Sequence, residues 1–89
     1  MGVPDSKQGW VVYILECRDG SLYTGITNFL ERRLKMHEAG IGAKYMRGRA
    51  PFVLRYTENC VDRKAASSRE REIKALSRSN KLQILEKRP

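Results

Sequence analysis

The sequence predicts a small α+β domain, in which a three-stranded, mainly antiparallel sheet is flanked by helices in the order β-β-α-β-α-α. Two observations predict this class: apolar runs rich in β-branched and aromatic residues, and helical segments that begin at capping residues. A chain of 89 residues allows one domain whose core is one sheet and its covering helices. We expect a disordered lead over residues 1–9 and a single domain over residues 10–87.

The first two strands are expected to form a hairpin. "WVVYILEC" (residues 10–17) is a continuous apolar run that predicts a buried strand, and "LYTGIT" (residues 22–27) predicts a second, shorter one. Between them "RDGS" is a turn signal with Asp-Gly at its centre. Gly25 lies inside the second strand, where a glycine often marks a close backbone approach, here of a phosphate or a neighbouring helix.

The register of the hairpin decides whether its two tyrosines share a face, because side chains alternate along a strand. A two-residue turn pairs Glu16 with Tyr23 and puts Tyr13 on the opposite face from Tyr23. A three-residue or bulged turn pairs Cys17 with Tyr23 and brings both tyrosines to one face. The sequence leaves both registers open.

The next segments are a helix, a loop and a strand. Asn28 is a candidate N-cap with Glu31 three residues later, and the helix is expected to end near Ala39, closed by Gly40. Residues 40–51 show no periodicity and predict a loop. Residues 51–60 predict the third strand, with the proline at its entrance, where a missing N–H costs little.

Two helices are expected to complete the domain. Asp62 is the candidate cap of a helix over about residues 63–76, and Ser77 is the candidate cap of a short last helix. No internal repeat or inter-domain linker is visible in the sequence.

The charge of the chain predicts a polyanionic partner. The formal net charge is +8 and the pI about 9.9, and all of the eighteen basic residues except Lys7 and Arg18 lie at or after Arg32. Such an excess favours nucleic acid. An anionic membrane surface and an acidic protein are the alternatives.

The two cysteines, Cys17 and Cys60, lack the spacing and the companion ligands of a structural zinc site. Two half-buried thiols are favoured over a single disulfide. The N-terminal stretch has no apolar run typical of a signal peptide, and no later segment predicts a membrane span. We therefore expect a cytoplasmic protein.

Three polar residues fall within or beside predicted apolar helix stripes. Arg33 and His37 stand next to Leu34 in the first helix, either as boundary residues or as site residues. Glu70 lies on the apolar face of the second helix, where an ionised carboxylate is costly unless it is paired or binds a metal. It either pairs with Arg33 or another arginine, or converges with Arg33 and the tyrosines on one cleft.

Three stretches of the chain, taken in order, resemble the GIY-YIG nuclease superfamily, whose members cut phosphodiester bonds. The second signature of that family appears as "YTG" (residues 23–25), and the first, "VVY" (residues 11–13), keeps its tyrosine. Arg33 matches the catalytic arginine of the family and Glu70 its metal-binding glutamate. The resemblance is closest to the small, single-domain, uncharacterised bacterial branch. It covers about residues 10–85 and is carried by "VYILECRDGSLYTGIT", "ERRLKMHEAGIGAKYMRGRAP" and "REREIKALSRSNK".

The resemblance implies a metal-dependent endonuclease that hydrolyses DNA phosphodiester bonds, in DNA repair or in processing branched or single-stranded DNA. Tyr23 would orient or deprotonate the attacking water, with Tyr13 supporting it by hydrogen bonding. Arg33 would stabilise charge on the phosphate, and His37 would assist proton transfer or position the phosphate. Glu70 would hold Mg²⁺ or Mn²⁺. A tyrosine base needs help at neutral pH, since the ordinary pKa of tyrosine is about 10.

A basic, glycine-punctuated loop lies next to the predicted site. Lys44, Arg47 and Arg49 are expected to clamp a nucleic-acid backbone, and Tyr45 to stack on an unpaired base. The alternative is an ordinary solvated loop. The runner-up functions for the whole chain are a non-catalytic nucleic-acid-binding module and an adaptor of a repair complex. A separate protein that supplies targeting is a further expected partner.

Overall fold

The computed structural model describes residues 9–86, so residues 1–8 of the lead predicted over residues 1–9 lie outside the described part of the chain. It confirms the α+β class: a three-stranded sheet in the order β2-β1-β3, both pairs antiparallel, is covered by three helices. The elements are β1 (Trp10–Cys17), β2 (Leu22–Thr27), α1 (Leu30–Glu38), a short 3₁₀ helix (Lys44–Met46), β3 (Phe52–Cys60), α2 (Arg63–Lys74) and α3 (Arg78–Glu86).

The central strand β1 is buried on both faces, which explains its unbroken apolar run. Its even-numbered residues, such as Val12 and Ile14, pack with α2 and α3 through Ala66, Ile73 and Leu85. Its odd-numbered residues form a second core with Met46, covered by α1; these are Tyr13, Leu15 and Cys17. The helices α1 and α2 therefore cover opposite faces of the sheet.

The hairpin puts both tyrosines on the α1 face. Leu15 pairs with Tyr23, and Tyr13 pairs with Gly25, so neither of the two expected pairings is observed. The loop does have three residues: the Cys17 N–H donates to the Ser21 carbonyl at 2.9 Å. Gly20, at φ +87°, supplies the left-handed residue of the bulged turn. The expected consequence of the three-residue turn, a shared face, is confirmed although the predicted partner of Tyr23 is wrong.

Helix α1 starts one residue later than the sequence predicts. Phe29, not Asn28, occupies the N-cap position and makes no side-chain capping bond. Its N–H instead donates to Thr27 Oγ1 at 3.1 Å, which fixes the turn between β2 and the helix. At the other end Gly40 adopts φ +80°, and the Ile41 N–H donates to the Met36 carbonyl at 3.0 Å. The predicted closure at Gly40 is thus confirmed as a Schellman motif.

Strand β3 begins at Phe52, with Pro51 just outside it, and carries a bulge. Tyr56 pairs with Ile14 but Leu54 pairs with Leu15, so Arg55 has no opposite residue in β1. The extra residue reverses the alternation of the strand. Tyr56 packs against the α2 face, and Phe52 packs against the tyrosine face.

The predicted caps of the last two helices are confirmed. Asp62 accepts the Ala65 N–H at 2.8 Å, and Ser77 Oγ accepts the Asn80 N–H at 3.1 Å. Helix α2 ends two residues earlier than expected. Both cysteines are free thiols, Cys17 buried and Cys60 half-buried, as the sequence favoured. Within residues 9–86, none of the helices has the length and apolar character needed to cross a membrane.

Candidate active site

Three rings meet between the sheet and α1. The ring centroids of Tyr13 and Tyr23 are 6.1 Å apart, and His37 lies 6.0 Å from Tyr13 and 5.4 Å from Tyr23. The two tyrosines come from paired strands and His37 from the last turn of α1. The hairpin register and the packing of α1 together therefore build the centre of the site.

Gly25 makes room for both tyrosines. A Cβ at this position would lie 2.6 Å from Tyr13 Oη and 2.8 Å from Tyr23 Cε2. The close approach that its place in the strand predicted is thus made by the two tyrosine side chains. The expectation of a neighbouring helix at Gly25 is wrong, and that of a phosphate stays a prediction.

His37 is joined to Tyr13 by a hydrogen bond of 2.8 Å between its Nε2 and the tyrosine Oη. Its other ring nitrogen, Nδ1, is buried without a partner, and Gly42 packs closely against that edge of the ring. Burial and the positive charge of Arg33 lower the pKa of His37, so the ring is neutral. A buried N–H without a partner is rarer than a buried acceptor without one. This favours the tautomer in which Nδ1 is unprotonated and Nε2–H donates a hydrogen bond to the Tyr13 hydroxyl.

His37 is only 1% exposed, and it contacts both Tyr13 and Tyr23. That it assists proton transfer or positions the phosphate stays a prediction. Its contacts with the site run through the two tyrosines.

Tyr13 itself is a fully buried phenol. Burial raises the pKa of Tyr13 far above its usual value, and the neighbouring Tyr23 adds to the rise when that residue is ionised. Arg33 opposes the shift through a hydrogen bond and its charge, but does not cancel it. Tyr13 therefore stays protonated at neutral pH, in keeping with a supporting role rather than that of a base.

Arg33 is half-buried beside the Tyr13 hydroxyl. Its Nε is buried without a hydrogen-bond partner, and no carboxylate among residues 9–86 forms an ion pair with it. A cleft of about 150 Å³ opens at this helix start, lined by Thr27, Asn28, Phe29, Arg32, Arg33 and Met36. A guanidinium held in place with no anion to neutralise it suits an incoming phosphate.

Glu70 is not paired with Arg33 or with any other arginine among residues 9–86. Its Oε2 lies 3.1 Å from Nζ of Lys74, one turn further along α2, and its side chain is 21% exposed. The predicted arginine pair is therefore wrong. Glu70 lies on the helix that covers the opposite sheet face from the tyrosines, and Lys74 is its polar partner in the described part of the chain.

The contacts thus join four of the five predicted catalytic residues: Tyr13, Tyr23, Arg33 and His37. No group of three or more His, Cys, Asp or Glu side chains within residues 9–86 is arranged to hold a metal. Glu70 offers one accessible carboxylate oxygen beside the one that Lys74 engages. That donor set fits a Mg²⁺ ion that keeps most of its waters, and does not fit a fully protein-ligated metal.

The predicted nucleic-acid-binding residues line one cleft, and Tyr45 connects it to the site. The ring of Tyr45 stacks on Tyr23 with centroids 5.7 Å apart and 26° between the planes. Met46, buried in the α1-side core, anchors the loop that carries it. An open cleft of about 440 Å³ begins at Tyr45. It is lined by Arg18, Asp19, Lys44, Tyr45, Arg47, Gly48 and Arg49.

Sequence reasoning missed Arg18 and Asp19, which it assigned only to the turn. The signal was present, because an antiparallel pairing of β1 with β3 brings the hairpin turn to the sheet end where the basic loop enters β3. Arg55, a further basic residue in β3, is paired with Glu16 across the strands and so is not part of this basic cleft.

The fold and this cluster together define a small α+β domain with two tyrosines and an arginine at its centre. The family model of the GIY-YIG catalytic domain matches residues 9–83, and the chain belongs to this family.

Relatives of the same size support this assignment. A UPF0213 protein of Oceanobacillus iheyensis is 55% identical over 75 residues, which are 84% of this chain and 87% of that protein. The solution NMR structure of a UPF0213 protein from Bacillus halodurans is 49% identical with a TM-score of 0.58, covering 86% of this chain and 82% of that one. A protein from E. faecalis, also solved by NMR, is 40% identical with a TM-score of 0.66, covering 92% and 88%.

Proposed function

We propose that this protein is a metal-dependent endonuclease that hydrolyses DNA phosphodiester bonds. One observation carries the proposal: Arg33 is half-buried next to the Tyr13 hydroxyl, and no carboxylate of the described chain pairs with it. Holding a cation in such a position without an anion is costly for folding alone. An anionic substrate supplies the missing partner.

The roles of the clustered residues follow from what the hydrolysis needs. The phosphate gains negative charge as the water attacks, and Arg33 stabilises that charge through its forked N–H donors. Tyr23, half-buried at the rim, orients the attacking water. Tyr13 remains protonated and holds its neighbours in place through its hydroxyl, with His37 fixing it from behind.

Glu70 is the residue that would hold the metal. Mg²⁺ or Mn²⁺ prefers oxygen ligands, and one carboxylate together with waters and the phosphate of the substrate is a sufficient set. The ion, when bound, supplies charge neutralisation and a more acidic water. Because Lys74 competes for the same carboxylate, the free protein is expected to bind the ion weakly.

The open basic cleft is the proposed site for the DNA backbone beyond the cleaved bond. Arg18, Lys44 and Arg47 are exposed there and form no ion pair within residues 9–86. Such contacts read phosphates and not sequence. We therefore propose that the enzyme recognises DNA structure, such as single-stranded or branched forms in repair, or that a partner protein supplies targeting.

The test is cleavage of labelled single-stranded, nicked and branched DNA with and without Mg²⁺. We expect metal-dependent cleavage by the native chain, abolished in Glu70→Ala with DNA binding retained. Glu72→Ala is the matched control, since it removes a carboxylate on the same helix that pairs with Arg69. Equal loss in both variants, or cleavage by Glu70→Ala, would exclude the metal role of Glu70.

A non-catalytic DNA-binding module is the second candidate, favoured by the pairing of Glu70 with Lys74. It predicts salt-dependent DNA binding with no cleavage under Mg²⁺ or Mn²⁺. An adaptor, in contrast, shows no DNA affinity even at low salt.

A further inference from the structure

Arg49 is held in the basic cleft by contacts of its side chain with Asp19, Ser21 and Tyr45. Its Nη1 donates to Asp19 Oδ2 at 2.5 Å, and its Nε donates to the Tyr45 carbonyl at 2.7 Å. The guanidinium carbon also lies 4.3 Å from the centre of the Tyr45 ring. A guanidinium engaged by a carboxylate, a carbonyl and an aromatic face is poorly placed to receive a phosphate as well.

Tyr45 in turn connects this cation to the catalytic cluster. Its ring stacks on Tyr23, which contacts Tyr13 and His37 with its other surfaces. Tyr23 also packs against the buried core of the α1 face, which contains Leu15 and Met46. Asp19, Arg49 and Tyr45 therefore form a continuous set of contacts that ends on the solvent side of Tyr23.

The two ring contacts change the expected part of Tyr45 in substrate binding. A base-stacking platform needs a free aromatic face, yet this ring already packs against Tyr23 and under Arg49. The three cleft cations without an ion pair among residues 9–86, Arg18, Lys44 and Arg47, are left to meet phosphates.

We propose that Tyr45 is a positioning residue for Tyr23, clamped in place by Arg49 and Asp19, and that it is not a base-stacking residue. The proposal rests on the proposed function, because the part it assigns is to hold the tyrosine that orients the attacking water. A reacting group displaced by about 1 Å loses up to about 100-fold in rate. The clamp keeps the rim tyrosine from swinging into the open cleft.

The kinetic test compares ring and charge variants. We expect Tyr45→Ala to lower kcat about 10- to 100-fold with little change in KM, and Tyr45→Phe, which keeps the ring, to restore the native kcat. Lys44→Ala and Arg47→Ala are the comparison variants for charge; each is expected to raise KM, because each removes a cation that meets a phosphate. Loss of affinity for single-stranded DNA in Tyr45→Ala at native kcat would overturn the proposal and make the ring a base platform.

Asp19→Asn separates positioning from charge. Asn keeps the Oδ1 that accepts the Ser21 N–H at 3.0 Å, but presents an NH₂ donor to Arg49 in place of Oδ2. Removing a negative charge from the cleft raises DNA affinity, so a purely electrostatic role predicts faster cleavage at low DNA concentration. If Asp19 instead holds Arg49 and Tyr45 in place, Asp19→Asn is expected to lower kcat. An unchanged or raised kcat in Asp19→Asn would overturn the proposal.

A spectroscopic measurement tests the clamp without turnover. The proton–proton NOEs that join the Tyr23 ring to Tyr13 and His37 are expected to weaken in Tyr45→Ala and to keep their native strength in Tyr45→Phe. If the native chain cuts no DNA, the proposed function fails, but these NOEs still decide whether Tyr45 holds Tyr23. Native NOEs between Tyr23 and its two neighbours in Tyr45→Ala would overturn the proposal whatever the activity.

Discussion

The hydroxyl of Tyr13 lies 2.8 Å from Nε2 of His37, and the exposed fractions of the two side chains are 0% and 1%. The pair fixes a polar contact between the central strand and the end of α1 inside an otherwise apolar core. Buried polar groups stabilise a fold only while both partners are present. The contact therefore sets the position of α1, and with it Arg33, relative to the hairpin.

Tyr13→Phe is expected to lower the free energy of unfolding by about 1–3 kcal/mol, because it leaves both ring nitrogens of His37 buried without partners. Urea denaturation measures the change. Thr24→Val is the control: its buried Oγ1 already lacks a partner, so its removal is expected to leave stability unchanged or raise it. Equal destabilisation by both variants would contradict the importance of the pair.

Gly25→Ala is expected to destabilise the protein by about 1–3 kcal/mol and to reduce cleavage, because the new methyl group overlaps both tyrosines. The atom nearest to the new methyl group is Tyr13 Oη, so removing this hydroxyl is expected to relieve part of the overlap. In a Tyr13→Phe background the added cost of Gly25→Ala should be smaller. Thermal unfolding of the native protein, the two single variants and the double variant checks this prediction. Strictly additive changes in the free energy of unfolding would show that the methyl group does not clash with the Tyr13 hydroxyl.

The pH dependence of stability is expected to report His37. Its folded pKa lies below the unfolded value of about 6.5. The unfolded chain thus binds the proton more readily, and stability is complete above pH 6.5 and falls as the pH drops below it. The side chains that face the ring do not offset this effect: Tyr13 is uncharged, and the positive charge of Arg33 opposes protonation of the ring.

Urea midpoints at pH 7.5 and 5.5 measure this dependence. We expect the free energy of unfolding to fall more between pH 7.5 and 5.5 for the native protein than for His37→Gln. The reason is that the variant has no titrating side chain at position 37. A variant with the native pH dependence would assign the effect to other groups.

Arg33→Ala is expected to reduce kcat about 10²- to 10³-fold, as the loss of one preorganised donor to a developing oxyanion does. The fold should persist, because Arg33 pairs with no carboxylate among the residues described. Circular dichroism and DNA binding check that point. Arg32→Ala removes the same charge from an exposed neighbouring position and is expected to cost far less. A similar rate for the two variants would remove Arg33 from the reacting centre.

Much of the scaffold was predictable because it depends on short-range rules. Apolar runs gave the strands, and the caps at Asp62 and Ser77 and the closure at Gly40 follow from local hydrogen-bonding chemistry. Asn28 failed as a cap because Thr27 Oγ1 takes the Phe29 N–H and the chain enters the helix one residue later. Two adjacent residues with capping oxygens compete, and only the tertiary path decides between them.

The site was less predictable because it depends on register and on long-range partners. Tyr13 and Tyr23 share a face of the sheet because of the length of the hairpin turn, which the sequence left open. Periodicity placed Glu70 on an apolar helix face but did not indicate which sheet face that helix covers, and Lys74 offers the nearer partner. Likewise, the engagement of Arg49 by Asp19 needs two turns to meet across 30 residues of chain.

Strand β3 has to keep its length between the bulge at Arg55 and Phe52, because the pairing with β1 sets the face that each side chain takes. Deleting Val53 would pair Phe52 with Glu16 in place of Cys17 and turn its ring, which lies 6.2 Å from that of His37, to the opposite face of the sheet. The imidazole would then lose its aromatic wall. Indels among natural variants should consequently avoid this strand and collect elsewhere, even though its outer edge is largely exposed to solvent.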